Sequence, residues 1–155
     1  MKHKLLSFIV LLLLLLCQTA AAQNLEKVAA TQNGVLYIDK DEVHPMSDAH
    51  RQAVLLVQTE EQFTNSAYLK RLHASAPELQ QAAASVRILL FNNDGTQVAV
   101  IKTMFTDKDA NIVYSIEGST KFQPVKSSVI MQVYEKALAE LERQKRVADM
   151  MRKKF

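Results

Sequence analysis

Val86-Arg87-Ile88-Leu89-Leu90-Phe91, Gln97-Val98-Ala99-Val100-Ile101-Lys102-Thr103-Met104-Phe105 and Ile112-Val113-Tyr114-Ser115-Ile116 are three apolar, β-branched runs of strand length set close together in the chain. Between the first two stands Asn93-Asp94-Gly95. Asp-Gly between such runs is a strong hairpin signal, because both central residues of a type I′ turn need positive φ. Asp107-Lys108-Asp109-Ala110-Asn111 turns the chain into the third run, and Gly118 closes it. No long helix separates the runs, so the stretch predicts an antiparallel meander rather than a parallel sheet. The register of the first hairpin stays open. A two-residue loop puts Arg87 opposite Lys102, which sets like charges against each other, whereas a four-residue loop from Asn92 to Gly95 puts Arg87 opposite Val100.

Upstream, Val35-Leu36-Tyr37-Ile38 reads as a first strand stopped by Asp39-Lys40-Asp41-Glu42. His44-Pro45-Met46-Ser47-Asp48 reads as a loop around a proline, and Gln52 to Gln58 as a second, interior strand. Gln23 to Asn33 is polar and alanine-rich without a clear period, and reads as a linker. Between Glu60 and Ser85 the period changes: Phe63, Tyr68, Leu69 and Leu72 are spaced for one helical face. Ser75-Ala76-Pro77-Glu78 has capping-box spacing, which would allow a second short helix from Ala76 to Ala84.

Downstream, Phe122-Gln123-Pro124-Val125 is an extended approach to a long helix capped by Ser127 or Ser128. Ile130, Tyr134, Ala137, Leu141, Gln144, Ala148, Met151 and Phe155 follow spacings of four and three, with Gln144 the only polar member. About 26 residues at 1.5 Å each give a helix of roughly 39 Å, against about 27 Å for an eight-residue strand. The first half therefore covers the sheet and the second half projects past it. The expected fold is α+β: an antiparallel meander of about five strands packed against a long C-terminal helix, with a helical insertion after the second strand.

The chain begins with the features of an export signal. Lys2 and Lys4 precede an apolar run from Leu5 to Leu16 that is short for a membrane span, and Ala20-Ala21-Ala22 offers small residues for cleavage before Gln23. An uncleaved anchor from Leu5 through the alanines is the competing reading. Cys17, the single cysteine, follows Leu16, where lipoprotein processing wants a small residue, so it is expected to leave with the signal. Without it the chain has no thiol and no disulfide, and stability must come from the core. The expected organisation is a signal over 1–22, a linker over 23–33, one sheet domain over 34–142 and a basic amphipathic tail over 143–155. A formal charge of +3 hides a segregation, because Arg143 to Phe155 holds six basic residues and only Asp149 as an acid.

The order of elements is similar to the surface-adhesin protein E family of small exported bacterial proteins. The resemblance covers roughly Gly34 to Leu138. It rests on Tyr37-Ile38-Asp39, on the strand running into Phe91-Asn92-Asn93-Asp94 with the pair of strands after it, and on Phe122-Gln123-Pro124-Val125. The family often carries a cysteine pair that this chain lacks, and an aromatic before the proline segment, a place Phe122 can fill. The resemblance implies an antiparallel sheet with a helix against it, no catalysis and, in some relatives, binding to host matrix or plasma proteins.

The residues themselves exclude several chemistries. Gly34, Gly95 and Gly118 stand too far apart for a Walker loop or a dinucleotide fingerprint, and no Gly-x-Ser-x-Gly elbow occurs. Asp39, Asp41, Glu42, His44, Asp48 and His50 could ligate a divalent ion or supply acid and base, although an acidic strand-to-loop junction is more commonly just solvated. His73 reads as a surface residue. The tail is the surface that seeks a partner: Lys145, Arg146, Arg152, Lys153 and Lys154 accompany Met150, Met151 and Phe155. Such a helix lies on anionic membranes or docks into a protein groove, and its spacing also permits a homodimer. The expected function is exported, non-enzymatic binding or adhesion in the envelope or at the cell surface, with no cofactor and no nucleic acid partner. A small periplasmic metal binder or metal-dependent enzyme built on His44 and His50 is the alternative, and a structural protein oligomerising through the terminal helix is the third reading.

Overall fold

The computed structural model describes residues 24–48 and 50–153. The expected signal and Cys17 lie outside the described residues, as do Lys154 and Phe155. The chain is α+β, with an antiparallel sheet in meander order: β1 (Leu25–Ala30), β2 (Gly34–Ser47), β3 (Ala53–Phe63), β4 (Ala84–Asn92), β5 (Gln97–Thr106) and β6 (Ile112–Glu117). A two-residue strand β7 (Gln123–Pro124) also pairs with β5. The helix α1 (Ser66–Ser75) and a 3₁₀ turn (Pro77–Leu79) follow β3, and α2 (Ser128–Arg152) ends the described chain.

The three runs that open the sequence analysis are β4, β5 and β6, adjacent and antiparallel as expected. The hairpin register matches neither option in full. Phe91 faces Val98 and Leu90 faces Ala99, but a bulge at Ile101 then moves Arg87 opposite Thr103 and Lys102 opposite Ile88. One extra residue thus separates the two cations that a regular ladder would oppose. Gly95 has φ +72°, and a Cβ there would fall 2.3 Å from the Tyr134 ring, so the turn needs glycine for both its backbone and its roof.

The meander is as expected, with seven strands among the described residues where about five were expected. Leu25–Ala30 is not linker but the strand β1, and its apolar alternation is hidden by a bulge between Lys27 and Ala29. Nor do the acids after Ile38 stop β2. Asp39 to Glu42 bulge out opposite Gln58, and pairing resumes at Val43 opposite Val57. His44 to Ser47, expected as loop, is strand. Pro45 fits there because β1 pairs only with Val35 to Asp39, so the outer side of this segment needs no N–H donor. The second predicted helix is reduced to the 3₁₀ turn Pro77–Leu79: Ala84 already belongs to β4, and Ser75 Oγ donates to the Leu72 carbonyl rather than capping. The cap of α1 is Asn65, whose side chain accepts from Tyr68 N at 3.0 Å.

The core lies between one sheet face and the first half of α2. Leu36, Ile38, Val43, Leu55, Val57, Leu89 and Phe91 meet Val133, Tyr134 and Ala137. The Tyr134 ring sits 5.3 Å from that of Phe91, and its hydroxyl donates to the Asn93 carbonyl at 2.6 Å, tying α2 to the β4–β5 turn. A smaller cluster on the opposite face joins Leu56, Val86, Ile88 and Met104. Consecutive burial from Val54 to Thr59 agrees with an interior strand having both faces covered.

Candidate functional site

The helix α2 changes character along its length. Val133, Tyr134, Ala137 and Glu140 are its buried residues, and beyond Leu141 nothing in it is buried. A carboxylate as shielded as Glu140 must be compensated. Arg143 binds it through two donors, Nε at 2.8 Å and Nη2 at 2.6 Å, Gln144 Nε2 donates at 3.2 Å, and Lys40 Nζ stands 4.0 Å away. Chiefly the Arg143 hydrogen bonds hold the Glu140 carboxyl below its ordinary range, outweighing its desolvation. Gln144 also reaches the Lys40 carbonyl, and Lys136 donates to Glu26 on β1. These contacts fasten α2 to the β1–β2 edge, and no side-chain hydrogen bond or ion pair among the described residues engages the helix beyond Gln144.

From Lys145 onward the helix is free. Met150 and Met151 are 59% and 62% exposed, and Lys145, Arg146, Arg152 and Lys153 are all exposed. With 3.6 residues per turn, Val147, Ala148 and Met151 prolong the line of Val133, Ala137 and Leu141. Lys145 and Arg152 flank that stripe on one side, Met150 lies on the other, and Arg146 and Lys153 stand on the opposite face of the helix. The structure thus gathers the described tail residues on one helix end, an apolar stripe backed by a cationic face. Among the described residues no helix is long and apolar enough to cross a membrane.

The acidic segment behaves differently. His44 Nε2 lies 3.1 Å from Glu42, while His50 is exposed in a turn where Asp48 accepts from the His50 and Gln52 amides at 2.8 Å. Among the described residues no three His, Cys, Asp or Glu side chains gather as metal ligands, so the candidate set is spread along β2 and its turn. Asp39 is buried instead. Burial pushes its carboxyl up against the hydrogen bond from the Asp41 amide, and Glu42, Asp41 and Glu60 push it the same way. His73 is half-buried rather than on the surface, with Nε2 donating to the Ala82 carbonyl at 2.8 Å. It lines an open cleft of about 430 Å³ with Leu69, Ala82 and Asp107. The Asp107 carboxylate is spent on its own loop, accepting from Asp109 N and from the backbone and side chain of Asn111.

Sequence reasoning missed Glu140, the residue that marks where α2 leaves the body. In the sequence only its place one turn after Lys136 and one turn before Arg143 hints at a network. The fold and surface together define a small α+β module presenting a cationic amphipathic helix end. No model of a known protein family matches this chain, and no curated protein matches it.

Proposed function

We propose that this is an exported, non-enzymatic binding module of the bacterial envelope or cell surface, which engages an anionic surface, foremost a membrane, through the free end of α2. The observation that carries the reading is the run from Lys145 to Lys153: four cations bracket exposed methionines on a helix whose inner half already fills the core. Cations near the surface are drawn to anionic lipid, and the apolar stripe can enter the headgroup boundary. The export half of the proposal rests on Lys2, Lys4, the Leu5–Leu16 run and Ala20-Ala21-Ala22. Resemblance to the surface-adhesin protein E family points the same way.

Sedimentation with vesicles tests it. Vesicles carrying anionic lipid are expected to retain the full chain more strongly than a chain ending at Glu142, with the difference falling as salt rises. Equal retention of the two refutes membrane contact and turns the same surface toward a protein groove.

A further inference from the structure

The two edges of the sheet are unlike. On the β1 side, Glu26 is held by Lys136 and Lys40, and the outer part of β2 carries Pro45. Charges and proline are the usual guards of an exposed strand. β6 has neither lysine nor proline, and Glu117, its one charged residue, is turned back onto Lys102 at 2.9 Å. The hydrogen bond from Gly118 N to Ile101 O, in step with the pairings of Thr103 with Ile116 and Phe105 with Tyr114, sets the phase of the ladder. Tyr114 and Ile116 therefore aim their main-chain groups at β5, and Ser115 and Glu117 aim theirs outward. Among the described residues no strand pairs with that outer side.

One face of this edge is apolar as well. Tyr114 faces Phe105 and Ile116 faces Thr103, so both side chains lie on one face, at 40% and 47% exposure. Ile112 does not join them, because Val113 is an extra residue between the Phe105 and Thr106 pairings.

We propose that β6 pairs antiparallel with β6 of a second copy of this chain, about a two-fold axis through Ser115. In that register the outward groups of Ser115 meet each other, and Glu117 stands opposite Val113. Each Tyr114 then lies against an Ile116, twice over, which is a favourable cross-strand pairing of an aromatic with a β-branched residue. No like charges are opposed. A two-fold at Tyr114 would instead oppose Ile116 to Ile112, which the bulge has moved off that face. The contact is isologous and closed, and it adds no new open edge. It is independent of the reading of α2.

Light scattering and cysteine cross-linking test it together. The full chain is expected to show a dimer at concentrations up to roughly 0.5 mM, and Tyr114→Lys to shift it to monomer while circular dichroism stays unchanged. In a Cys17→Ser background, Ser115→Cys should oxidise to a covalent dimer about tenfold faster than Ile112→Cys. Paired Ser115 Cα atoms fall near 5.5 Å, inside the disulfide window, whereas the two Ile112 lie six residues out of register. Should Tyr114→Lys fail to fold, the cysteine pair decides alone. A wild-type chain that stays monomeric overturns the proposal. So does equal cross-linking at the two cysteines, or a dimer that disappears when the chain ends at Glu142, since assembly would then run through α2.

Discussion

The two halves of α2 share one helix and little else. From Ser128 to Leu141 the helix buries Val133, Tyr134 and Ala137 and takes even the carboxylate of Glu140 out of water, while from Glu142 to Arg152 it buries nothing. Helical periodicity is continuous across that boundary, so regular structure by itself does not say which half is fold and which is surface. The difference lies in what the sheet can reach. It is wide enough to receive about half of a helix of some 37 Å, and the β1–β2 edge ends where Lys40 and Glu26 meet Glu140 and Lys136. The first half should govern stability and the second should be almost silent in it.

The strongest test of that division is Tyr134→Ala. The change removes the ring packed on Phe91, uncovers Gly95 and abolishes the hydrogen bond to Asn93. Truncating a buried aromatic costs about 3–5 kcal/mol, and urea unfolding should show a loss of that size. A loss below about 1 kcal/mol would mean that α2 is not held by its first half.

The boundary itself can be read through pH. Glu140, held below its ordinary value of 4.5, contributes stability that is complete above that value and disappears as pH falls through its folded pKa. Asp39 has the opposite sign. Its folded pKa lies above the ordinary 3.8, so its charged form is disfavoured by folding, and stability falls as pH rises through the folded value. Glu140→Gln should therefore cost about 1–3 kcal/mol at pH 7, with the deficit shrinking as pH falls below 4.5 and through the folded pKa. Asp39→Asn, which keeps the acceptor for the Asp41 amide, should raise the urea midpoint at pH 7. If both variants move in the same direction at neutral pH, the assignment of one carboxylate as anchored and the other as strained is wrong.

How much of this was legible in the sequence depended on whether regular patterns were interrupted. The β4–β5–β6 meander stood out because its runs are long, β-branched and punctuated by Asn-Asp-Gly and by the Asp107–Asn111 turn, and the long helix stood out because its spacing of threes and fours never breaks. What stayed hidden were the bulges. One extra residue shifts the period-2 pattern by a face, so Leu25–Ala30 looked aperiodic, and the Asp39–Glu42 bulge looked like the end of a strand that in fact continues to Ser47. Ile101, inserted in β5, moved Arg87 to a partner that neither loop length offered. The projecting tail was legible from charge and helix length, but Glu140 was not. A buried carboxylate differs from an exposed one only in its three-dimensional neighbours, and those come from β1, β2 and the next turn of its own helix.

The smallest expected effect separates the halves most cleanly. Met150→Ser with Met151→Ser removes two apolar side chains that are more than half exposed and touch no core cluster, so unfolding free energy should stay within about 0.5 kcal/mol of wild type. Retention on anionic vesicles should nevertheless fall, because the cations alone attract the helix without giving it apolar surface to insert. The two readings pull apart if the outcome is reversed. A double variant that binds normally but unfolds more easily by over 1 kcal/mol would place the methionines in a packed contact. The outer half of α2 would then belong to the fold, and the contrast between a docked and a free half would lose its basis.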